Sequence, residues 1–246
     1  MIESGALDVT IVIPAFNEAK RLPRTLDSLI AWIKVRPERF EVIVVDDGST
    51  DNTASLAQAY STVTFVSLPE NAGKGAAVRY GMLRGQGALI LMMDADLATP
   101  MSEFDVLKES IMSGADVAIG SRPLRTSRLS VRQPILRELA GRMFNFIVRL
   151  VSGLPFRDTQ CGFKLWRSVA AKNCFGICLI DGFAFDVESL VVAKALGYAI
   201  VEIGVSWAHQ PGAAAFGSAS SYVHHALKMI VDTVAIRWNH RAVRRV

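Results

Sequence analysis

Three cysteines in 246 residues are too few for a disulfide scaffold, and Cys161, Cys174 and Cys178 lack paired metal-ligand spacing. They read as ordinary core thiols in a reducing compartment. No run of about 18 uncharged apolar residues occurs, so a membrane-spanning helix is not expected. Met1 to Val9 contains Glu3 and Asp8 and has neither a basic leader nor an apolar segment, which speaks against a secretory signal. Charged residues are only 20% and hydrophobic ones 51%, which excludes a disordered chain and provides for a large core. Interleaved basic and aromatic residues are missing, as are helix-turn-helix, RNA-binding and zinc-finger signatures, so nucleic acid is not an expected partner. Nor does any linker divide the chain. We read one domain over 1–246, with a core over about 9–210 and a C-terminal amphipathic basic helix over 220–246.

What is present is an alternation of strands and helices. Val9 to Ile13, Phe40 to Val45, Val63 to Ser67, Leu89 to Met93, Val117 to Gly120 and Ala199 to Val205 are apolar runs of strand length. Helical periodicity fills the intervals, for example at Leu22, Leu26, Leu29, Ile30 and Ile33. Such order predicts an α/β fold with a mostly parallel sheet built from right-handed crossovers. Polar residues follow each strand, where open α/β sheets hold their ligands. The fourth strand delivers Asp94 and Asp96, separated only by Ala95. Two carboxylates so close repel unless a proton or cation intervenes, and Mg²⁺ is commonly held by one or two carboxylates plus substrate phosphates. Taken alone, the same pair also suits a solvated acidic loop.

The net charge of +4 is unevenly spread. Arg122, Arg125, Arg128, Arg132, Arg137, Arg142 and Arg149 fall in one stretch, and Arg237, His240, Arg241, Arg244 and Arg245 in another. Phosphate-bearing partners or an anionic membrane surface suit such clusters. From Pro123 to Gln133 no period is visible, and a mobile loop is expected. Leu139 to Val151 is helical, with Leu139, Met143, Phe146, Ile147 and Leu150 on one face and Arg142 and Arg149 at its edge. It fits a membrane-surface helix or a core helix with snorkelling arginines equally well.

Pro14-Ala15-Phe16-Asn17-Glu18, Val45-Asp46-Asp47-Gly48-Ser49, Asn71-x-Gly73-Lys74-Gly75 and Asp94-x-Asp96 occur in the order seen in inverting GT-A glycosyltransferases of family 2. With Gly120-Ser121-Arg122, Asp158-Thr159-Gln160-Cys161-Gly162-Phe163-Lys164 and Phe183-Ala184-Phe185-Asp186-Val187-Glu188, the set resembles the dolichyl- or polyprenyl-phosphate branch, the β-glucosyl members most of all. The resemblance implies a GT-A fold and metal-dependent, inverting transfer of a hexose, glucose from UDP-glucose, to a polyprenyl or dolichyl phosphate. Pro14, Phe16, Glu18, Val45, Asp47, Lys74, Asp94, Ala95 and Asp96 would bind the nucleotide-sugar, with Asp47 accepting from a base N–H. Asp94 and Asp96 would hold Mg²⁺ or Mn²⁺. Arg122 and Arg137 would grip the acceptor phosphate, and Asp158 would orient sugar or acceptor as a catalytic residue. The implied setting is peripheral, on the cytosolic face of a membrane, with a homo-oligomer possible.

Other readings attach to the same residues. Asp47 also suits a turn carboxylate, Lys74 a surface lysine, Arg122 and Arg137 solvated arginines, and Asp186 and Glu188 caps of the helix they precede or else further bases. The family pattern carries a basic residue after its last strand; here His209-Gln210-Pro211-Gly212 continues with alanines, so either another basic residue such as His209 serves or donor binding is weakened. Ala98 offers no side-chain ligand to a metal. A GDP-mannose-dependent transferase and a weakened nucleotide-sugar binding protein are the alternatives. A nucleotidyltransferase would need a Gly-rich N-terminal phosphate loop, which is missing.

Overall fold

The computed structural model describes residues 7–124, 126–131, 135–208 and 219–243. Its centre is β1 (Val9–Ala15), a β-branched run buried along its whole length. On one side it pairs in parallel with β2 (Phe40–Asp46), on the other with β4 (Leu89–Met93). The main sheet has seven strands in the order β3-β2-β1-β4-β7-β5-β8, with β3 at Thr64–Ser67, β5 at Val117–Ser121, β7 at Phe163–Arg167 and β8 at Ile200–Gly204. All neighbours are parallel except β7, which runs against both β4 and β5. The reason lies in where β7 begins: Phe163 pairs with Met93, so the chain enters at the edge where β4 ends and can only run back.

Alternation along β1 divides the core. Ile11 and Ile13 face α1 (Leu22–Ile33) and α4 (Phe104–Met112), meeting Leu26, Leu29, Phe104 and Leu107. Val12 faces the other layer, with Val78 and Met82 of α3 (Lys74–Arg84) and Leu190 of α7 (Phe185–Ala195). Between these helices lie the short α2 (Thr53–Gln58) and α6 (Ser168–Phe175). Each fully buried aliphatic side chain contributes roughly 1.5–3 kcal/mol, and strands covered on both faces need such continuous apolar runs. The three cysteines are free and buried, as expected of core thiols.

Two expectations change. Arg128–Val131 forms strand β6, paired in parallel with β9 (Ser206–Ala208), where no period was visible and a loop was expected. Four residues are too few to show a period, and the partner is distant in sequence. The arginine-rich helix is longer than its periodicity, forming α5 (Ile135–Ser152), and the C-terminal helix α8 covers Ala219–Asn239. Among the described residues no helix is long and apolar enough to cross a membrane.

Candidate active site

Because β1, β2 and β4 are parallel neighbours, the loops after them emerge at one edge, and hydrogen bonds clasp them together. Asn17, at φ 54°, accepts at Oδ1 from the Thr50 amide at 2.9 Å, while its own amide donates to Ser49 Oγ at 2.8 Å. The Glu18 amide donates to Thr53 Oγ1 at 2.7 Å. Phe16 is 42% exposed at this edge, whereas Pro14 and Val45 are buried, Val45 among Ile43 and Ala77. The side chains of Pro14 and Val45 thus belong to the core beneath the edge.

Asp47 fixes the next loop. Its Oδ1 accepts the Ala72 amide at 2.8 Å and its Oδ2 the Gly73 amide at 2.9 Å. Gly73 has φ 108°, a conformation side chains rarely adopt, and it turns the chain into α3. Burial raises the Asp47 carboxyl despite these amides. This anchoring role was not legible in the motif, because the amides come from a loop 25 residues onward. It leaves acceptor capacity on a carboxylate that has about four lone-pair sites.

Lys74, the first residue of α3, places Nζ 2.6 Å from Asp94 Oδ1. Burial works against its ammonium, but Asp94, Asp186 and Asp96 outweigh it and raise the lysine. Asp94 itself packs against Gly162, where an added Cβ would lie 1.9 Å from Oδ2, so only glycine admits this carboxylate. Ala95 is buried and its carbonyl accepts from Thr25 Oγ1 at 2.6 Å, tying the acidic loop to α1. Asp96 accepts the Ala98 amide at 2.9 Å, and Leu97 is held at φ 53°. Burial and then Asp94 raise the Asp96 carboxyl; burial raises Glu18 too, against the pull of its partner Arg21, with Asp96 and Asp94 adding to the rise. Asp96 also borders a cleft of about 530 Å³ lined by Lys20, Arg21, Arg24 and Trp32.

Among the described residues no three His, Cys, Asp or Glu side chains converge to hold an ion unaided. Asp94 and Asp96 nevertheless fit a hard divalent cation. Both are part-exposed oxygen donors, they repel each other, and Mg²⁺-type ions complete their shell with substrate phosphates.

Beyond β4 the charges are paired. Arg122, after β5, forks onto Asp158 with Nε at 2.6 Å and Nη2 at 2.8 Å, and its amide adds a third bond at 3.1 Å. Asp158 is wholly buried; burial would raise its carboxyl, but Arg122 lowers it. Glu202 on β8 ties the Asp158 loop to the end of β5, accepting from the Asp158 amide at 2.7 Å and Ser121 Oγ at 2.8 Å. Lys164, 1% exposed, donates to the Cys161 carbonyl at 2.7 Å and pairs with Asp186. Glu188 accepts the Leu179 and Ile180 amides at 2.9 and 2.8 Å and meets His240. Neither Asp186 nor Glu188 caps α7; both turn inward. Glu202 gave no signal in the sequence, and His240, grouped there with the C-terminal basic cluster, is buried against Glu188 instead, since each finds its partner across the fold. Arg137 falls on α5 with its side chain outside the described ones, and His209 and Gly212 lie outside the described residues.

The model described as Glycosyl transferase family 2 matches residues 10–175. A dolichyl-phosphate beta-glucosyltransferase of Trichomonas vaginalis is 35% identical over 247 residues, covering 95% of this chain and 72% of that protein. Its namesake from Drosophila melanogaster is 36% identical over 227 residues, covering 85% and 70%. Among solved structures, glucosyl-3-phosphoglycerate synthase from Mycobacterium tuberculosis, in complex with Mn²⁺ and uridine-diphosphate-glucose, superimposes with a TM-score of 0.68 at 20% identity. That match covers 94% of this chain and 79% of the other, a likeness of fold.

Proposed function

The chain belongs to glycosyl transferase family 2, has the GT-A fold and is a glycosyltransferase, and we propose that it transfers glucose from UDP-glucose to dolichyl or polyprenyl phosphate with inversion. The observation that carries this reading is the meeting of Lys74, Asp94 and Asp96 at the edge where Asp47 orders the neighbouring loop. The relatives' shared name supplies the sugar and the acceptor.

The reaction forms a bond between an acceptor phosphate oxygen and the sugar C1 and breaks the bond from C1 to the diphosphate. The attacking phosphate is already ionised at neutral pH, so no protein base has to remove a proton. Positioning and charge stabilisation then supply the rate. Asp94 and Asp96 would hold Mg²⁺ or Mn²⁺, which when bound stabilises charge on the departing diphosphate. Lys74 adds a cation on the donor side, and Glu18, Phe16 and Asp47 line the nucleotide's edge. Arg122 receives the acceptor phosphate: Asp158 uses two of its five N–H donors and leaves the rest. Asp158 acts through Arg122, and Arg137 is the second phosphate ligand.

The acceptor's lipid chain calls for a membrane surface. Met143, Phe146 and Leu150 on α5 and Leu227, Val231, Val234 and Trp238 on α8 are all exposed. Exposed Arg237 and Arg241 flank the α8 stripe at its C-terminal end, and the Arg241 guanidinium lies 4.0 Å from the centre of the Trp238 ring. Apolar stripes with a basic rim suit peripheral binding to an anionic leaflet, the cytosolic face. The test is lipid-linked product from labelled UDP-glucose or GDP-mannose with polyprenyl phosphate, with and without Mg²⁺ or Mn²⁺. Glucosyl-lipid lost on chelation is expected. Mannosyl-lipid would replace the sugar, and nucleotide binding without product from either donor would overturn the transferase reading.

A further inference from the structure

The transfer chemistry leaves Glu188 without a role, although it is completely buried and carries three polar contacts. Through its two oxygens it pins successive amides of the strap formed by Leu179, Ile180 and Asp181. His240, 5% exposed and one residue beyond α8, places Nε2 2.8 Å from Glu188 Oε1. Cys178 lies against the same carboxylate: burial, and then Glu188, push its thiol up. The strap continues directly into the donor side. The Asp181 carbonyl accepts the Gly75 amide at 2.7 Å and the Ala76 amide at 3.3 Å, satisfying open donors in the first turn of α3. Arg79, from the next turn, pairs with the Asp181 carboxylate at 2.5 Å. An added Cβ at Gly73 would come within 2.4 Å of the Asp181 carbonyl, so strap and turn are in contact with no space between them.

We propose that His240 is a positioning residue for donor binding: by holding Glu188 it fixes the 179–181 strap against the first turn of α3 and so sets the place of the Lys74 ammonium. The inference rests on the reading of Lys74 as a donor-side cation. A buried carboxylate that loses one of its partners is left under-satisfied and less firmly placed, and the strap amides that depend on it lose their fixed anchor. The consequence extends to α8. Its exposed stripe is among those proposed to meet the bilayer, so this hydrogen bond, beside the packing of α8 on α7, joins the lipid side of the molecule to its donor side.

The test is UDP affinity, measured by titration calorimetry with Mg²⁺ on the full chain. His240→Ala is expected to weaken UDP about fivefold, the worth of one ordinary hydrogen bond, with the lipid-phosphate KM unchanged. His240→Gln, whose amide can donate to Glu188, should restore it. The double variant with Lys74→Ala should bind no worse than Lys74→Ala alone, because the two act through one group. If His240→Ala does not fold, His240→Asn takes its place, its shorter amide stopping short of Glu188. Wild-type affinity in His240→Ala, or a full additional loss in the double variant, would overturn the inference and leave the donor reading intact. Unchanged affinity in Lys74→Ala would remove both.

Discussion

Asp158 and Asp96 stand at the same sheet edge, in loops that flank paired strands, yet their environments push them in opposite directions. Asp158 is completely buried, and burial alone would raise its carboxyl; the Arg122 fork reverses the sign and lowers it. Asp96 keeps some contact with water, and burial together with Asp94 raises it. One carboxylate has its counter-ion built into the fold. The other belongs to a cluster with Asp94 and Glu18 in which like charges face each other. Carboxyls raised by burial and by one another at a cleft are candidates for a functional site when the fold does not complete them. Between these two carboxylates burial does not separate support from chemistry, since it pushes both upward; the Arg122 fork on Asp158 does.

Asp96→Asn should break this comparison most visibly. Turnover in the lipid-product assay is expected to fall about a thousandfold. The thermal midpoint should rise, by about 2 °C, because a part-buried charge and its repulsion with Asp94 have been removed. A lowered midpoint would show that Asp96 is a supporting carboxylate after all. Asp158→Ala should do the reverse to stability. Leaving the half-buried Arg122 without its counter-ion is expected to cost about 3 kcal/mol, or roughly 6–12 °C in the melt. A melt within a degree of wild type would mean that Arg122 finds another partner.

The same contrast separates what the sequence made legible from what it did not. Asp94 and Asp96 could be read because both lie within three residues of one apolar strand, so local pattern alone places them together. β1, β2 and β4 were legible for the same reason: each is a β-branched or Leu/Met-rich run ending in polar residues. Long-range pairs left no such trace. Nothing near Asp158 announces Arg122 or Glu202, nothing near Glu188 announces His240, and Asp47 gives no sign that it gathers the amides of Ala72 and Gly73. β6 was hidden because its partner, β9, is distant in sequence, and β7 because direction within a sheet follows from where a loop delivers the chain. Supporting charges are therefore the part of such a site that sequence motifs describe least.

Gly162→Ala sharpens the comparison from the other side. The methyl would collide with the Asp94 carboxylate, so Asp94 must leave Lys74 or the β4–β7 edge must open. About a tenfold loss of turnover is expected, with only a modest change in melting, since the crowded atom is the end of a part-exposed side chain. Wild-type kinetics in this variant would separate Asp94's position from its function.

The smallest effect is the pH dependence of stability, and its sign follows from the two classes of carboxyl. Glu18, Asp47, Asp96 and Asp186 are raised in the folded chain. As pH falls from neutrality through their folded values, the native state takes up protons before the unfolded chain does, so stability increases. Asp158 is lowered, along with Glu38 and Asp51. Below the ordinary carboxylate range, about 3.9–4.3, the unfolded chain binds those protons first, and stability falls as pH drops through their folded values. Urea midpoints taken across this range should pass through a maximum on the acid side of neutrality. Asp96→Asn should flatten the rise toward that maximum, and Asp158→Asn the fall beyond it. A monotonic loss from neutral pH downward would mean that burial and mutual repulsion do not raise these carboxyls in the folded protein, and the distinction between them and Asp158 would collapse.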